Sequence, residues 1–275
     1  MKTLEKLVGQ SLHMSPVAGL HALHAVLLQS GQPIGQCKEE VRIPRRPLVD
    51  AQGDDIPQRY LVGDIAVIPV FGKIIKGASG FEKWAFGFTS YEDIHEDLDW
   101  ALASGVRAII LWVNSPGGSH IGCQELAERI AGLARVMPVF DYTDHQQASA
   151  AEFITAGCTM RLSTKSAVRG SIGSILSLQN VVKMYETMGV SWEHFVSGKY
   201  KGMGQPTQEL TDEQRQFIQS FVDYNGAQFR SFMMAHRPRL KSEDLEGQFF
   251  TGAQAYEKGF VDATVSNLQE ALALI

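Results

Sequence analysis

The sequence is poor in cysteine and contains no paired cysteine motif. Its 275 residues include three cysteines, Cys37, Cys123 and Cys158, and none of them stands in a CxxC pattern. An odd count without metal-ligand spacing argues against a disulfide framework and against a zinc site. We therefore expect reduced thiols, as in a cytoplasmic protein, and neither a metal ion nor another cofactor.

Long apolar runs and basic clusters are scarce as well. The longest apolar stretch covers residues 17–28 and contains two histidines, whereas a membrane-spanning helix needs about 20 apolar residues. The charged start of the chain is not typical of a secretory signal. We interpret residues 14–29 as an amphipathic docking helix and expect no membrane span. The net charge of −5, without a long lysine or arginine run, argues against a nucleic-acid partner.

The remaining composition, 44% hydrophobic and 20% charged, is that of a soluble globular protein. Residues 1–60 combine the early helix with a charged, proline-containing stretch, which is typical of an extension and a linker. From residue 61 to residue 275, strand patterns alternate with helix patterns. This organisation predicts one α/β domain that follows an N-terminal extension.

Apolar runs and helical periodicity locate the main elements of the domain. A helix begins after Thr89 and Ser90 and ends at Gly105, and a capping-box pattern at Thr211 opens a later helix. The alternation indicates βαβ crossovers and a mostly parallel sheet with helices on both faces. Strands are predicted at residues 64–71, 106–113 and 138–142, and further helices at residues 124–134, 180–188 and 211–236.

Two turns that follow predicted strands are candidate functional positions. The sequence NSPGG at residues 114–118 follows a buried strand, and its glycines allow close backbone approach to a ligand, as in an oxyanion hole. A tight turn without a ligand explains the same residues equally well. In the sequence QASAAE at residues 147–152, small neighbours of Ser149 suit a hydroxyl presented at a helix start. The alternative is a simple N-cap, with Glu152 completing a capping box.

Two further segments carry polar and glycine residues. The sequence RGSIGS at residues 169–174 is a glycine-punctuated strand, in which crowding alone can require glycine. The sequence SGKYKGMGQP at residues 197–206 is a loop with two lysines. We expect Lys199 to be solvated, whereas Lys201 lies beside glycine, where closure over an apolar site would desolvate it.

Together, these motifs resemble the signal peptide peptidase A family of serine–lysine endopeptidases, which have a ClpP/crotonase-type fold. The resemblance rests on NSPGG after a strand, the serine in a small-residue turn, GSIG, and SGKYK before a proline. The sequence FTGAQAYEKGFVD at residues 250–262 resembles the closing signature of the family. The resemblance extends from about residue 61 to residue 266, which makes residues 61–275 the predicted peptidase domain.

The resemblance implies Ser149 as the nucleophile, Lys201 as the general base and Ser171 as the residue that holds the lysine amine. A free lysine has a pKa of about 10.4, and a lysine that accepts the proton of serine needs a value of roughly 7–8. Burial in a dry pocket lowers a lysine pKa, whereas a nearby carboxylate raises it. We therefore expect Lys201 to be buried without an acidic neighbour.

The oxyanion hole implied by the resemblance consists of backbone N–H groups from Gly117 or Gly118 and from Ala150. This chain departs from many cellular members of the family, which have glycines after the nucleophile. The sequence also offers a rival base, because His145 lies four residues before Ser149. Asp141 or Asp144 could orient this histidine in a Ser-His-Asp arrangement.

The amphipathic extension and the absence of an anchor resemble the phage head maturation (prohead) proteases of the family. This branch implies scaffold, portal or capsid proteins as substrates, a location in the host cytoplasm, and a homo-oligomer that packs through residues 180–188 and 211–236. We expect an extended peptide with small or apolar side chains near the nucleophile. The alternatives are a cellular signal-peptide-peptidase-like protease, a crotonase-type acyl-CoA enzyme, and a non-catalytic structural component.

Overall fold

The computed structural model describes residues 48–49, 55–56 and 59–275. The predicted helix at residues 14–29 lies outside the described residues, and the domain boundary near residue 60 stays a prediction. In chain order, the strands are β1 (Leu48–Val49), β2 (Asp55–Ile56), β3 (Tyr60–Val62), β4 (Ile65–Phe71), β5 (Ile74–Ile75), β6 (Thr89–Ser90), β7 (Ala108–Asn114), β8 (Val139–Thr143), β9 (Gln146–Ala148), β10 (Met160–Ser163), β11 (Val168–Gly170), β12 (Phe249–Thr251) and β13 (Ala263–Thr264). The helices are α1 (Gly80–Phe86), α2 (Tyr91–Ala103), α3 (Cys123–Leu133), α4 (Ala150–Thr155), α5 (Val182–Thr187), α6 (Asp212–His236), α7 (Gly252–Lys258) and α8 (Leu268–Ala273), with a 3₁₀ turn at Ser242–Asp244.

The central sheet has six strands in the order β13-β10-β8-β7-β4-β3. Every neighbouring pair is parallel except β3 with β4. Strands β4 and β7 are runs of valine, isoleucine and leucine because they are buried on both faces, as is typical of parallel sheets. The predicted α/β class with a mostly parallel sheet is confirmed.

Helices cover both faces of this sheet, as predicted. Alternate side chains of β4 and β7 point to opposite faces. Ile68 and Leu111 belong to the larger core, which also includes side chains of α2, α3 and α4. Val67 and Ile110 belong to a smaller core, where Ala271 of α8 packs on the other face. The helix that follows β13 therefore packs against the second face of the sheet.

A second, three-stranded sheet in the order β12-β11-β9 carries two of the predicted site residues. Strands β9 and β11 are parallel, and Ala148 pairs with Gly170. The residues that follow this pair, Ser149 and Ser171, therefore leave the sheet at the same end. A bridge between Ser115 and the middle of β9 also brings the turn after β7 to this place.

Candidate active site

The turn from β9 into α4 presents Ser149 with an unusual backbone conformation. Its φ of 53° and ψ of −124° lie outside the common regions for residues other than glycine. The backbone N–H of Ser149 donates to the carbonyl oxygen of Gly170 at 2.9 Å. Such strain costs about 1–3 kcal/mol and persists where the surrounding structure enforces it, most often at functional sites.

The side chain of Ser149 does not cap the helix that it precedes. Its hydroxyl makes no capping hydrogen bond, and the Glu152 carboxylate accepts hydrogen bonds from Arg161 and Arg169 instead. An N-cap contributes about 1 kcal/mol, whereas depriving a buried guanidinium of its carboxylate costs about 3–5 kcal/mol. The capping-box interpretation is therefore wrong, and the hydroxyl is left available.

The glycine turn after β7 lies directly against Ser149. A Cβ atom on Gly117 would stand 2.7 Å from the Cβ of Ser149 and 2.8 Å from the backbone nitrogen of Ala150. The φ of Gly117 is +97°, so this position favours glycine for conformational reasons as well. A Cβ atom on Gly118 would collide with the carbonyl oxygen of Ile74 at 1.7 Å. Glycine is therefore required at position 117 for the two turns to meet, and at position 118 for the glycine turn to pair with Ile74 of β5.

The backbone N–H groups at this junction differ in their availability. Gly117 donates its N–H to the hydroxyl oxygen of Ser115 at 3.1 Å. The N–H groups of Gly118 and Ala150 form no hydrogen bond with any residue that the structure describes. Two unused donors beside a serine hydroxyl are the arrangement that stabilises the oxyanion of an acyl-transfer reaction. Gly117 contributes close contact to this arrangement rather than a free donor.

Two cavities meet at Ser149. The first has a volume of about 550 Å³, and its wall includes Gly118 and the aromatic rings of Phe153, Phe221 and Phe229. The second has a volume of about 400 Å³ and is lined by both Ser149 and Ser171. These two serines are the non-glycine residues with positive φ in the described part of the chain, with Ser171 at 57°. Backbone strain thus coincides with two of the residues that the sequence singled out.

Lys201 is not among the residues that line this junction in the single chain. Its side chain is exposed, and it lines neither of the two cavities. It forms no ion pair with a described residue, whereas nearby Lys199 pairs with Glu213. Gln214 anchors the loop by donating its side-chain amide to the carbonyl oxygen of Lys199 at 2.6 Å. The expectation that Lys201 is buried is therefore not met within one chain.

The segment before Lys201 exposes many apolar side chains. Ile175 is 89% exposed and Phe195 is 92% exposed. Single exposed apolar side chains are common on protein surfaces, whereas several within one short segment are typical of an interaction surface. We call residues 175–196 the apolar segment; its other exposed members are Leu176, Leu178, Met184, Met188, Val190, Trp192 and Val196.

The rival base His145 lies at the opposite end of β9 from Ser149. Four residues of extended chain span about 13 Å, and His145 lines neither cavity. Its imidazole pairs with Asp144 at 2.7 Å on the surface. Asp141, the other proposed partner, is buried among arginines instead. The structure therefore does not bring this histidine to the nucleophile.

A group of four buried charges under the turn was not predicted. Asp141, Glu152, Arg161 and Arg169, which we call the buried charge cluster, are each 0% exposed. Burial by itself raises the pKa of Asp141, but the two guanidinium groups outweigh this effect and hold its pKa at about 2. The available signal was the presence of charged residues inside apolar strands, since buried charges need partners.

Comparison with known proteins identifies the family of this chain. A family model described as peptidase family S49 matches residues 131–274, which is about half of the chain and includes both strained serines. The chain belongs to peptidase family S49. The ClpP/crotonase-type fold that the resemblance implied goes with this membership, and the acyl-CoA alternative is set aside.

Curated members of family S49 give the range of related proteins. A candidate protease of Synechocystis sp. is 32% identical over 200 residues, which cover 65% of this chain and 72% of that protein. Capsid assembly protease C of Escherichia phage lambda is 28% identical over 221 residues, covering 78% and 50%. A candidate signal peptide peptidase SppA of Enterococcus faecium is 30% identical over 178 residues, covering 63% and 50%. The chain spans about half the length of the last two relatives.

The described part of this family S49 chain contains neither a membrane-spanning helix nor a cluster of metal-ligating side chains. Within it, no helix is both long and apolar enough to cross a bilayer. The same residues contain no group of three histidine, cysteine, aspartate or glutamate side chains arranged to hold a metal ion. Cys123 and Cys158 are buried as free thiols, and burial raises the pKa of Cys123 to about 12.

Proposed function

We propose that this chain is a serine endopeptidase in which Ser149 is the nucleophile, Lys201 the general base and Ser171 the residue that orients the lysine amine. Membership of family S49 supports a serine-type protease. The observation that carries the proposal is the turn itself, where a strained serine with an uncapped hydroxyl adjoins the unused N–H groups of Gly118 and Ala150.

The proposed reaction uses each of these groups in turn. The neutral amine of Lys201 accepts the hydroxyl proton while the Ser149 oxygen attacks the peptide carbonyl. The N–H groups of Gly118 and Ala150 stabilise the negative oxygen of the tetrahedral intermediate. The lysine ammonium then donates its proton to the departing amine, which leaves an acyl-enzyme. Water, activated by the same amine, releases the acyl product and regenerates the serine.

Association of several copies supplies the burial that the amine needs in this proposal. Lys201 lies five residues after the end of the apolar segment, and both are exposed in the single chain. In this proposal, packing of the apolar segment against another copy removes water from the loop that carries the lysine and moves the Lys201 amine to the Ser149 hydroxyl. A lysine is neutral near pH 7 only when its ammonium form is desolvated. We therefore propose a homo-oligomer as the active form.

For the substrates, we propose scaffold, portal or capsid proteins of a phage head, processed in the host cytoplasm. The supporting observation is the similarity to capsid assembly protease C of phage lambda, which covers 78% of this chain. The similarity to the Enterococcus protein supports a cellular peptidase as the second candidate. The apolar wall of the 550 Å³ cavity beside Ser149 suits small or apolar side chains in either case.

Labelling with a fluorophosphonate tests the proposed chemistry. We expect a single adduct at Ser149 and none in Ser149→Ala. Lys201→Ala should lower peptidase activity by about 10²–10⁴-fold, the usual contribution of a general base. The matched control is Lys199→Ala, two residues away in the same loop, which should stay within about threefold of the unaltered chain. His145→Ala should also retain activity. Full activity in Lys201→Ala would refute the dyad.

A cleavage assay separates the two substrate classes. The full chain is incubated with purified scaffold, portal and capsid proteins encoded beside its gene, and in parallel with signal-peptide fragments. The proposal predicts discrete cleavage of at least one head protein, abolished in Ser149→Ala. Cleavage of the signal peptides alone would favour the cellular peptidase.

A further inference from the structure

We propose that the buried charge cluster (Asp141, Glu152, Arg161 and Arg169) holds the nucleophile in its reactive conformation, with Glu152 as the principal positioning residue. This role rests on the proposed function, because it assumes that Ser149 is the nucleophile. Glu152 does not touch the substrate in this account. It acts through the backbone of the turn that carries Ser149.

The four side chains of the cluster are joined by charge-assisted hydrogen bonds. The Glu152 carboxylate accepts from Arg161 Nη2 at 2.5 Å and from Arg169 Nε at 2.9 Å. Asp141 Oδ2 accepts from Arg169 Nη2 at 2.6 Å and from Arg161 Nη2 at 3.2 Å. Two carboxylates thus balance two guanidinium groups with no exposed member. Asp141 Oδ1 has no hydrogen-bond partner among the described residues, so Asp141 is held through Oδ2 alone. The charge-assisted bonds still restrain the four side chains, because breaking one of them would leave a buried charge without its partner.

Each end of the network reaches a residue next to the site. Glu152 follows Ser149 by three residues in the first turn of α4. Arg169 precedes Gly170, whose carbonyl oxygen accepts the N–H of Ser149 at 2.9 Å. Gln147, two residues before Ser149, donates to Asp141 Oδ2 at 2.5 Å. The cluster therefore fixes the chain before the nucleophile, the helix after it and the neighbouring strand.

Comparison with the other helices of this chain shows what the cluster prevents. Among the helices of the described residues, four begin with complete capping boxes, in which the third helical residue bonds back to the cap. Ser149 and Glu152 have the same spacing and the right residue types, yet neither half of the box forms. Two features differ at Ser149: its backbone is not extended, as it is at the four caps, and a pair of arginines holds the Glu152 carboxylate. We infer that without these arginines Glu152 would turn back and Ser149 would become an ordinary helix cap, with its hydroxyl engaged.

The variant Glu152→Gln tests this role in the full chain, since it keeps the shape of the side chain and removes its charge. We expect the rate constant for fluorophosphonate labelling and kcat to fall at least tenfold, with KM within twofold. The matched control is Glu82→Gln, which alters the glutamate at the same helix position in the capping box of α1. It should label at the unaltered rate.

A charge-balanced double variant separates positioning from stability. Glu152→Gln with Arg169→Gln leaves one carboxylate and one guanidinium, so we expect it to recover much of the thermal stability but not the labelling rate. Recovery of both would show that only charge balance matters and would overturn the proposal. Wild-type labelling and kcat in Glu152→Gln would overturn it as well.

Thr155→Val provides a milder test if the charge variants fail to fold. The Thr155 hydroxyl accepts from Gln147 Nε2 at 2.6 Å and from Arg161 Nη2 at 3.0 Å. We expect a several-fold lower kcat with unchanged KM, and an unchanged kcat would overturn the proposal.

If the unaltered chain itself shows no adduct at Ser149, the proposed function fails and this role fails with it. An adduct in the unaltered chain together with unaffected variants removes only the positioning role.

Discussion

Replacing Gly117 by alanine should separate the two turns that form the junction at Ser149. The added Cβ would stand 2.7 Å from the Cβ of Ser149 and 2.8 Å from the nitrogen of Ala150. Either the glycine turn or the Ser149 turn must move by more than half an ångström before these atoms reach an ordinary contact distance of 3.4 Å. Displacement by about 1 Å typically costs about 10²-fold in rate, and losing an oxyanion-hole donor costs about 10²–10³-fold. We expect fluorophosphonate labelling of Ser149 to slow by about 10²-fold, or about 3 kcal/mol.

The same variant should also be less stable, because alanine is strained at a φ of +97°. Strain of about 1–3 kcal/mol lowers the Tm of a domain of this size by roughly 2–12 °C. Labelling is therefore compared below the transition and normalised to the folded fraction. The matched control is Gly132→Ala in α3, where an added Cβ meets nothing within 4 Å and helix propensity favours alanine by about 0.5–1 kcal/mol. Labelling of Gly117→Ala within about threefold of the unaltered rate, despite a lower Tm, would refute the proposed geometry.

Two further predictions concern the stability of the core. The pKa of Asp141 in the folded chain is about 2, below its ordinary 3.8, so the unfolded state binds more protons in this range. Ionised Asp141 should therefore raise the free energy of unfolding by about 2 kcal/mol, fully above pH 4 and progressively less as the pH falls towards 2. Urea unfolding at several pH values measures this change. A free energy of unfolding that does not vary over this range would contradict the assignment. Arg237 donates to the carbonyl oxygens of Ala156 at 3.0 Å and Cys158 at 2.8 Å, and to Asp262 at 2.8 Å. Arg237→Met should therefore lower the free energy of unfolding by about 2–4 kcal/mol, and a loss below about 0.5 kcal/mol would show that these bonds contribute little.

Local patterns in the sequence were sufficient for the main elements. The predicted strands at residues 64–71 and 106–113 correspond to Ile65–Phe71 and Ala108–Asn114. The helix predicted after Ser90 is Tyr91–Ala103, and the capping box at Thr211 is present. These features depend on periodicity and on bonds between residues three or four apart, so neighbouring residues carry the whole signal.

The sequence also indicated that Ser149, Gly117 and Gly118 lie in turns at strand ends. The carboxyl ends of parallel strands lie at the same edge of a sheet, so turns from distant parts of the chain meet there. What each residue does there depended on atoms far away in the chain. The N–H of Gly117 is used by Ser115 and that of Gly118 is not, a difference that no spacing in the sequence reveals.

Whether the Ser149 hydroxyl caps the following helix is the feature that depends most clearly on the tertiary structure. By itself, the sequence from Ser149 to Glu152 predicts a capped helix as readily as it predicts a nucleophile. Arg161 and Arg169 reach Glu152 from two other strands and hold its carboxylate in the core, and in our proposal these contacts decide between the two. The sequence determined the strands, the helices and the positions of the turns, because those follow from local propensity. The uncapped serine and the exposed Lys201 follow from long-range packing, which depends on how distant side chains share one interior.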